Sequence, residues 1–296
     1  MPHNIALLGH GYWGKIVEKA LVSNTHFNLV RLYSPRLAKD GIRTNDLESV
    51  WKDPSIGSVF IASPLATHFM LAETALKSGK HVLCEKPLTP HPEDTQILNT
   101  LSRERQRILE TNYIYTQSLG VKKFIELLPQ IGRIRYLSLS IRQWGRFYPE
   151  SVYQVLASHL LSVLDMILPI NSIEFHFRDL ITNAQGLCEM GRIDFECGGF
   201  SGEIEVSLNS GERAREFKAY GDDGFLTLDP GRKETVVLQK LVRQLSEGIA
   251  GKRESYEFEE TNNLALVLNH FSDLIEGKGN DNQDLAMRVC RVLAGK

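Results

Sequence analysis

The chain has 296 residues, of which 42% are hydrophobic and 24% charged, a composition typical of a soluble globular protein with room for two cores. Its net charge of −2 gives no general attraction to nucleic acid or to an anionic membrane surface. No apolar run approaches the roughly 20 residues of a membrane span, and the N-terminus resembles a strand followed by glycine, not a signal peptide. We therefore expect a cytoplasmic protein that binds neither nucleic acid nor membranes.

The cysteines carry no sign of a metal site. All four are far apart in the sequence, without a CxxC motif or a cysteine–histidine cluster: Cys84, Cys188, Cys197 and Cys290. This spacing favours reduced thiols and predicts no bound metal.

The chain begins with a buried strand and a glycine-rich turn. The apolar run 5–8 is typical of a parallel strand covered on both faces, and apolar residues recur at helical spacing after the turn. Between them lies a GxGxxG motif: Gly9, His10, Gly11, Tyr12, Trp13, Gly14. In this motif Gly9 permits the tight turn, Gly11 lets the backbone approach a pyrophosphate, and Gly14 allows close helix packing. The helix N-terminus at Tyr12 and Trp13 is expected to help bind the pyrophosphate.

Strands and helices then alternate up to residue 118. Further strands are predicted at Asn28–Tyr33, Ser58–Ala62, Val82–Cys84 and Ile108–Asn112, with helical segments between them. This βαβαβαβαβ pattern predicts a doubly wound Rossmann domain over residues 1–118 that binds a dinucleotide.

The end of the second strand indicates which dinucleotide is bound. An NAD-binding domain usually has an acid there for the ribose 2′-hydroxyl. This chain has Ser34 and Arg36 instead, with no acid before Asp40. A hydroxyl and a guanidinium suit a 2′-phosphate, so NADP is favoured over NAD. In the alternative interpretation Arg36 is only a solvated loop residue, and NAD remains possible.

Two further motifs fall at the carboxyl edge of the predicted sheet, where ligands bind in open α/β folds. The third strand is followed by Ser63, Pro64 and, in the first turn of the next helix, His68. The fourth strand is followed at once by Glu85 and Lys86, because Pro87 ends the ladder. A partly desolvated lysine at this edge is a candidate proton donor and acceptor.

The second part of the chain, 119–296, predicts an α+β domain with a mainly antiparallel sheet backed by helices. A helix is expected from about Val152 to Leu168, and two more at 262–276 and 283–293. The predicted strands, separated by turn signals, are 133–141, 172–177, 186–190, 193–197, 202–208, 216–220, 225–228 and 234–238.

Together these motifs resemble the glucose-fructose oxidoreductase/inositol dehydrogenase (Gfo/Idh/MocA) family. The resemblance is carried by the GxGxxG motif, by Ser63-Pro64-x-x-x-His68 and by Glu85-Lys86-Pro87. It implies a nicotinamide cofactor and hydride transfer to or from a carbon bearing oxygen, usually on a sugar or polyol. The family lysine corresponds to Lys86, near both the nicotinamide and the reacting group.

The resemblance also implies an Asp-x-x-x-His pair on the helix that opens the substrate domain. The histidine is present as His159, but the aspartate position is Val155. Lys86 and His159 could still form a minimal acid/base pair. Because Leu156, Leu160 and Leu161 surround Val155 in sequence, we expect an apolar pocket there.

We therefore predict an NAD(P)-dependent oxidoreductase acting on a carbonyl or alcohol carbon of a sugar-like substrate, with Lys86 and His159 handling the proton. The alternatives are a non-catalytic cofactor-binding sensor or regulator, and a reductase with altered substrate chemistry. The family commonly forms homodimers or homotetramers through the open face of the second sheet, and we expect the same here.

Overall fold

The computed structural model describes residues 1–145, 147–231, 233–243, 248–258 and 262–296. Its strands are β1 His3–Leu8, β2 Phe27–Tyr33, β3 Arg43–Thr44, β4 Ser58–Ile61, β5 His81–Glu85, β6 Leu109–Asn112, β7 Ile134–Trp144, β8 Glu174–Thr182, β9 Cys188–Cys197, β10 Phe200–Ser207, β11 Asn209–Gly221, β12 Gly224–Asp229, β13 Glu234–Arg243 and β14 Gly248–Phe258. Its α-helices are α1 Tyr12–Ser23, α2 Glu48–Trp51, α3 His68–Lys77, α4 Pro92–Arg105, α5 Leu119–Leu127, α6 Ser158–Ile167, α7 Asn263–Ile275 and α8 Gln283–Ala294. A π-helical turn, Tyr153–Ala157, leads directly into α6.

The first compact unit comprises Met1–Ile114 and Asn263–Gly295. Its sheet is parallel throughout the described residues, in the order β3-β2-β1-β4-β5-β6. This is the doubly wound arrangement, and the predicted Rossmann fold is confirmed. Because all the strands run the same way, the segments after β1, β4, β5 and β6 lie at one carboxyl edge of the sheet.

The C-terminal helices belong to this first unit. Leu264, Leu268 and Phe271 of α7 are buried with Leu7 and Phe27 in one core cluster. The Phe27 and Phe271 rings stack with their centroids 5.8 Å apart. This differs from the predicted division, which assigned all of 119–296 to the second domain. An apolar stripe on a helix shows that it packs on something, but not which sheet it covers.

The second compact unit, Tyr115–Asn262 together with Lys296, is built on one large sheet. Its described strands have the order β14-β13-β12-β11-β7-β10-β9-β8, and neighbours are antiparallel except for the parallel β7–β10 pair. The predicted α+β class is confirmed. Two predicted strands, 186–190 and 193–197, are in fact the single strand β9. The sequence break between them contains Gly191, which pairs with β10 and lies against the Tyr153 ring.

No helix among the described residues is long and apolar enough to cross a membrane. Within the same residues, no group of three or more His, Cys, Asp or Glu side chains is arranged to hold a metal ion. The four cysteines are free thiols.

The packing of α7 yields a stability prediction. Phe271 is fully buried against Phe27, so Phe271→Ala should destabilise the first unit by about 3–5 kcal/mol through lost burial and a residual cavity. Met70→Ala, at a residue 64% exposed on α3, is the matched control and should leave the melting temperature nearly unchanged. Thermal melts followed by circular dichroism measure both. If Phe271→Ala melted with the wild type, α7 would not be part of this core.

Candidate active site

The glycine-rich turn after β1 is shaped by two close backbone approaches. Gly9 has φ +109°, and a Cβ there would lie 2.4 Å from the Ala62 carbonyl oxygen. A Cβ on Gly14 would lie 2.2 Å from the Gly9 carbonyl oxygen. No other residue type fits either position without moving the backbone. The two glycines therefore set the turn and the close packing of α1, as the motif predicts.

Gly11 is different, because nothing in the protein requires it to be glycine. It is the N-cap of α1, with φ −73°, and a Cβ there would meet no described atom within 4 Å beyond its own chain neighbours. No side chain caps the helix and its first turn has no acid. The backbone is thus open to an anion arriving from outside, beside the N-terminal amides of α1. This open space fits the pyrophosphate of a dinucleotide.

The loop after β2 carries the residues predicted to select the cofactor. The Ser34 amide donates to the Thr44 carbonyl at 3.1 Å, which fixes the start of the loop beside β3. Arg36 is exposed and makes no ion pair with any described residue. The neighbouring cations each have an acidic partner, since Lys39 lies 3.9 Å from an Asp46 oxygen and Arg43 lies 3.5 Å from a Glu18 oxygen. Arg36 is thus available for an external anion.

Glu85 at the end of β5 joins three segments of the carboxyl edge. Its Oε1 accepts hydrogen bonds from the Trp13 indole and, at 2.5 Å, from the Asn112 amide. Burial raises the pKa of the Glu85 carboxyl, while the adjacent Lys86 ammonium and these hydrogen bonds oppose that shift. The carboxylate thereby ties the start of α1 to the ends of β5 and β6.

His68, at the start of α3, also contacts two loops at this edge of the sheet. The ring is 2% exposed, with Nε2 3.0 Å from the Ser63 carbonyl oxygen and Nδ1 3.1 Å from that of Pro87. Burial lowers the pKa of this imidazole, and the Lys86 charge lowers it further. The Ser63 hydroxyl contacts that of Thr67 at 2.7 Å, and Pro64 precedes this turn. The contacts of His68 are to backbone, so a direct contact of Ser63, Pro64 or His68 with a cofactor stays a prediction.

Lys86 follows β5 directly, next to the Glu85 carboxylate. Its side chain is half-buried, and the Lys86–Pro87 peptide bond is cis. The residue lies on the same carboxyl edge as the open space at Gly11. The catalytic role of Lys86 stays a prediction.

His159 belongs to the second unit, on α6. Its ring meets the buried ring of Tyr115 edge to face, with centroids 5.4 Å apart. Burial raises the pKa of the Tyr115 phenol, so that side chain is neutral at ordinary pH. Within 152–164, all residues are buried except three that are partly exposed: Gln154, Val155 and His159. Tyr115 therefore limits the ring orientation of His159 on the one accessible stripe of this segment.

The regular helix predicted from Val152 is interrupted. The Ser158 amide bonds to the Tyr153 carbonyl five residues back, which defines the π-helical turn Tyr153–Ala157. The Tyr153 phenol donates to the Arg178 carbonyl at 2.9 Å, anchoring this turn to β8. The apolar-pocket expectation at Val155 is not supported, because Leu156, Leu160 and Leu161 are buried in the core while Val155 is partly exposed.

Asn112 was missed as a functional residue, although it stands in a recognisable place. It ends β6, is fully buried, and its amide holds Glu85. A polar residue at the carboxyl end of a parallel strand next to β5 is the signal that could have identified it. Its partner could not be read from sequence, because 26 residues separate Glu85 from Asn112.

Comparison with known proteins finds similarity to a described family over the first part of the chain. Residues 3–113 match the Gfo/Idh/MocA model, described as an oxidoreductase family with an NAD-binding Rossmann fold. A dTDP-3,4-didehydro-2,6-dideoxy-α-D-glucose 3-reductase of Streptomyces violaceoruber is 40% identical over 87 residues, 29% of this chain and 25% of that protein. The levoglucosan dehydrogenase of Pseudarthrobacter phenanthrenivorans is 30% identical over 151 residues, 44% of this chain and 38% of that protein. The chain thus matches only a quarter to two-fifths of the length of these relatives.

Solved structures share the whole fold. KijD10, a 3-ketoreductase from Actinomadura kijaniata in complex with NADP and TDP-benzene, superposes with a TM-score of 0.87 over 99% of this chain and 96% of its own, at 15% identity. A putative oxidoreductase from Magnetospirillum magnetotacticum gives 0.82 over 99% of both chains, at 21% identity. The similarity shows that the two-unit architecture is shared. The match over residues 3–113 shows that this part of the chain is similar to the Gfo/Idh/MocA oxidoreductase family.

Proposed function

We propose that this protein is an NADP-dependent oxidoreductase that moves a hydride between the nicotinamide and a carbonyl or alcohol carbon of a sugar-like ring. The observation that carries the proposal is the open backbone at Gly11 on the same sheet edge as Lys86. When bound, the cofactor supplies or accepts the hydride. The protein's own residues bind, orient and move the proton.

Cofactor binding is assigned to three groups of residues. The amides at the start of α1, including those of Tyr12 and Trp13, bind the pyrophosphate in the space before Gly11. Ser34 and the exposed guanidinium of Arg36 bind the 2′-phosphate, since a charged hydrogen bond to phosphate is among the stronger polar contacts. The Glu85 carboxylate accepts a hydrogen bond from the Trp13 indole and so fixes the position of that side chain.

Lys86 transfers the proton. For reduction of a carbonyl, its ammonium donates a proton to the oxygen as the hydride reaches the carbon, and for oxidation the neutral amine accepts it. Its neighbour Glu85 has its Oε1 occupied by Trp13 and Asn112 and so is assigned to positioning this edge, not to proton transfer. His159 is the second proposed proton-handling group, oriented by Tyr115.

The substrate is proposed to be a hydroxylated ring, as in the names of the relatives: a dTDP-linked keto-sugar, levoglucosan, UDP-N-acetylglucosamine and scyllo-inositol. The predicted cytoplasmic location and homodimeric or homotetrameric assembly stay predictions. The alternative is a sensor that binds the cofactor without turning it over. It differs from the proposed enzyme in one test, because a sensor has no turnover for Lys86→Ala to reduce.

Cofactor preference is the first test. NADPH should bind at least about tenfold more tightly than NADH, because the Arg36 guanidinium pairs with the 2′-phosphate. Arg36→Ala should remove most of that difference and leave NADH affinity unchanged. Lys39→Ala, at a cation already near Asp46, is the control and should change little. Fluorescence titrations measure all three proteins, and an NADH preference in the wild type would contradict the assignment.

The role of Lys86 is tested by its removal. Lys86→Ala should lose at least about a hundredfold in turnover while NADPH affinity changes far less, because only the proton path is removed. Lys77→Ala, at a cation paired with Glu73 on α3, serves as the control and should keep wild-type turnover. Steady-state absorbance of NADPH with a sugar substrate reports both. Unchanged turnover in Lys86→Ala would remove the proposed mechanism.

A further inference from the structure

We infer that Gln154 binds the substrate beside His159, supplying an uncharged carboxamide in the turn where the family pattern has an aspartate. The inference rests on the proposed function for the class of ligand, a hydroxylated six-membered ring. It corrects the assignment of that position to Val155, which assumed a regular α-helix.

The π-helical turn changes which residues flank His159. In an α-helix, the residues three and four positions earlier lie one turn below a side chain, which here would be Leu156 and Val155. The i→i−5 bond from Ser158 to Tyr153 inserts one extra residue into this turn. The residues one turn before His159 are then those four and five positions earlier, Val155 and Gln154.

Burial agrees with this register. Leu156, which an α-helix would place beside His159, is only 6% exposed and faces the core. Gln154 and Val155 are partly exposed, as His159 is, and every other residue of 152–164 is buried. The only polar side chains on this accessible stripe are therefore Gln154 and His159. π-Helical turns of this kind occur often at functional sites.

The Gln154 side chain is available to a ligand. Its backbone carbonyl accepts from the Ser158 hydroxyl at 2.9 Å, but its carboxamide has no hydrogen-bond partner among the described residues. A carboxamide both donates and accepts, so it can pair with a ring hydroxyl in either sense. Gln154 is therefore assigned to binding and orienting the ring beside His159.

Saturation-transfer NMR titration with levoglucosan, scyllo-inositol and UDP-N-acetylglucosamine, in the presence of NADP⁺, tests this directly. Gln154→Ala should weaken binding of the ring that the wild type prefers by about tenfold, the loss expected for a ligand hydrogen bond. Gln154→Glu keeps an acceptor at the same reach and should stay within about threefold of wild type. Val155→Ala controls for the register and should change affinity less than about twofold.

The outcomes of these titrations either support or overturn the binding role of Gln154. Unchanged affinity in Gln154→Ala, a larger loss in Val155→Ala, or no binding of any of the three rings by the wild type would overturn the inference. Loss in Gln154→Ala with retention in Gln154→Glu would support it. If a ring bound through Gln154 but the wild type never reduced NADP⁺ with it, the proposed function would fail and the binding role of Gln154 would stand.

Discussion

The candidate site depends on one partly buried carboxylate. Glu85 accepts hydrogen bonds from Trp13 at the start of α1 and from Asn112 at the end of β6. A carboxylate removed from water is costly unless its oxygens are paired, and these donors supply that pairing. The same bonds fix the glycine-rich turn relative to β5, and hence the position of Lys86. Cofactor binding and proton transfer therefore share one structural constraint.

The strand β6 extends this arrangement to the C-terminal helices. Glu110, two residues before Asn112, is 2% exposed and accepts from the backbone and side-chain amides of Asn282 at 2.9 and 2.7 Å. Burial raises the pKa of the Glu110 carboxyl well above its usual range. Strand β6 thus contacts two segments. Asn112 holds the Glu85 carboxylate, and Glu110 holds Asn282 in the segment before α8. The first unit needs residues from both ends of the chain to complete it.

Much of this could be predicted from local sequence signals. The GxGxxG turn, the absence of an acid near Ser34 and the Glu85-Lys86 pair all follow from chemistry over a few neighbouring positions. What could not be predicted depends on contacts that are distant in sequence. The packing of Phe271 on Phe27 is one example, and the bond between Glu85 and Asn112 is another.

The prediction of a regular helix before His159 failed for a different reason. Counting four residues back assumes α-helical geometry, and the extra residue in the π-helical turn is the basis for assigning Gln154 to the position beside His159. Nothing in the local sequence marks that insertion, because Tyr153 is anchored by the backbone of Arg178, in a strand that follows later in the chain. A motif defined by spacing on a helix is only as reliable as the regularity of that helix.

The most direct measurement is NADPH affinity in two Glu85 variants, by isothermal titration calorimetry. Glu85→Gln keeps a side-chain oxygen that can accept from Trp13 and Asn112, and should bind NADPH within about threefold of wild type. Glu85→Leu removes the acceptor, leaves the Asn112 amide unpaired in the core, and should weaken NADPH binding by at least about tenfold. Wild-type affinity in Glu85→Leu would contradict the account, because the glycine-rich turn would then not depend on this carboxylate.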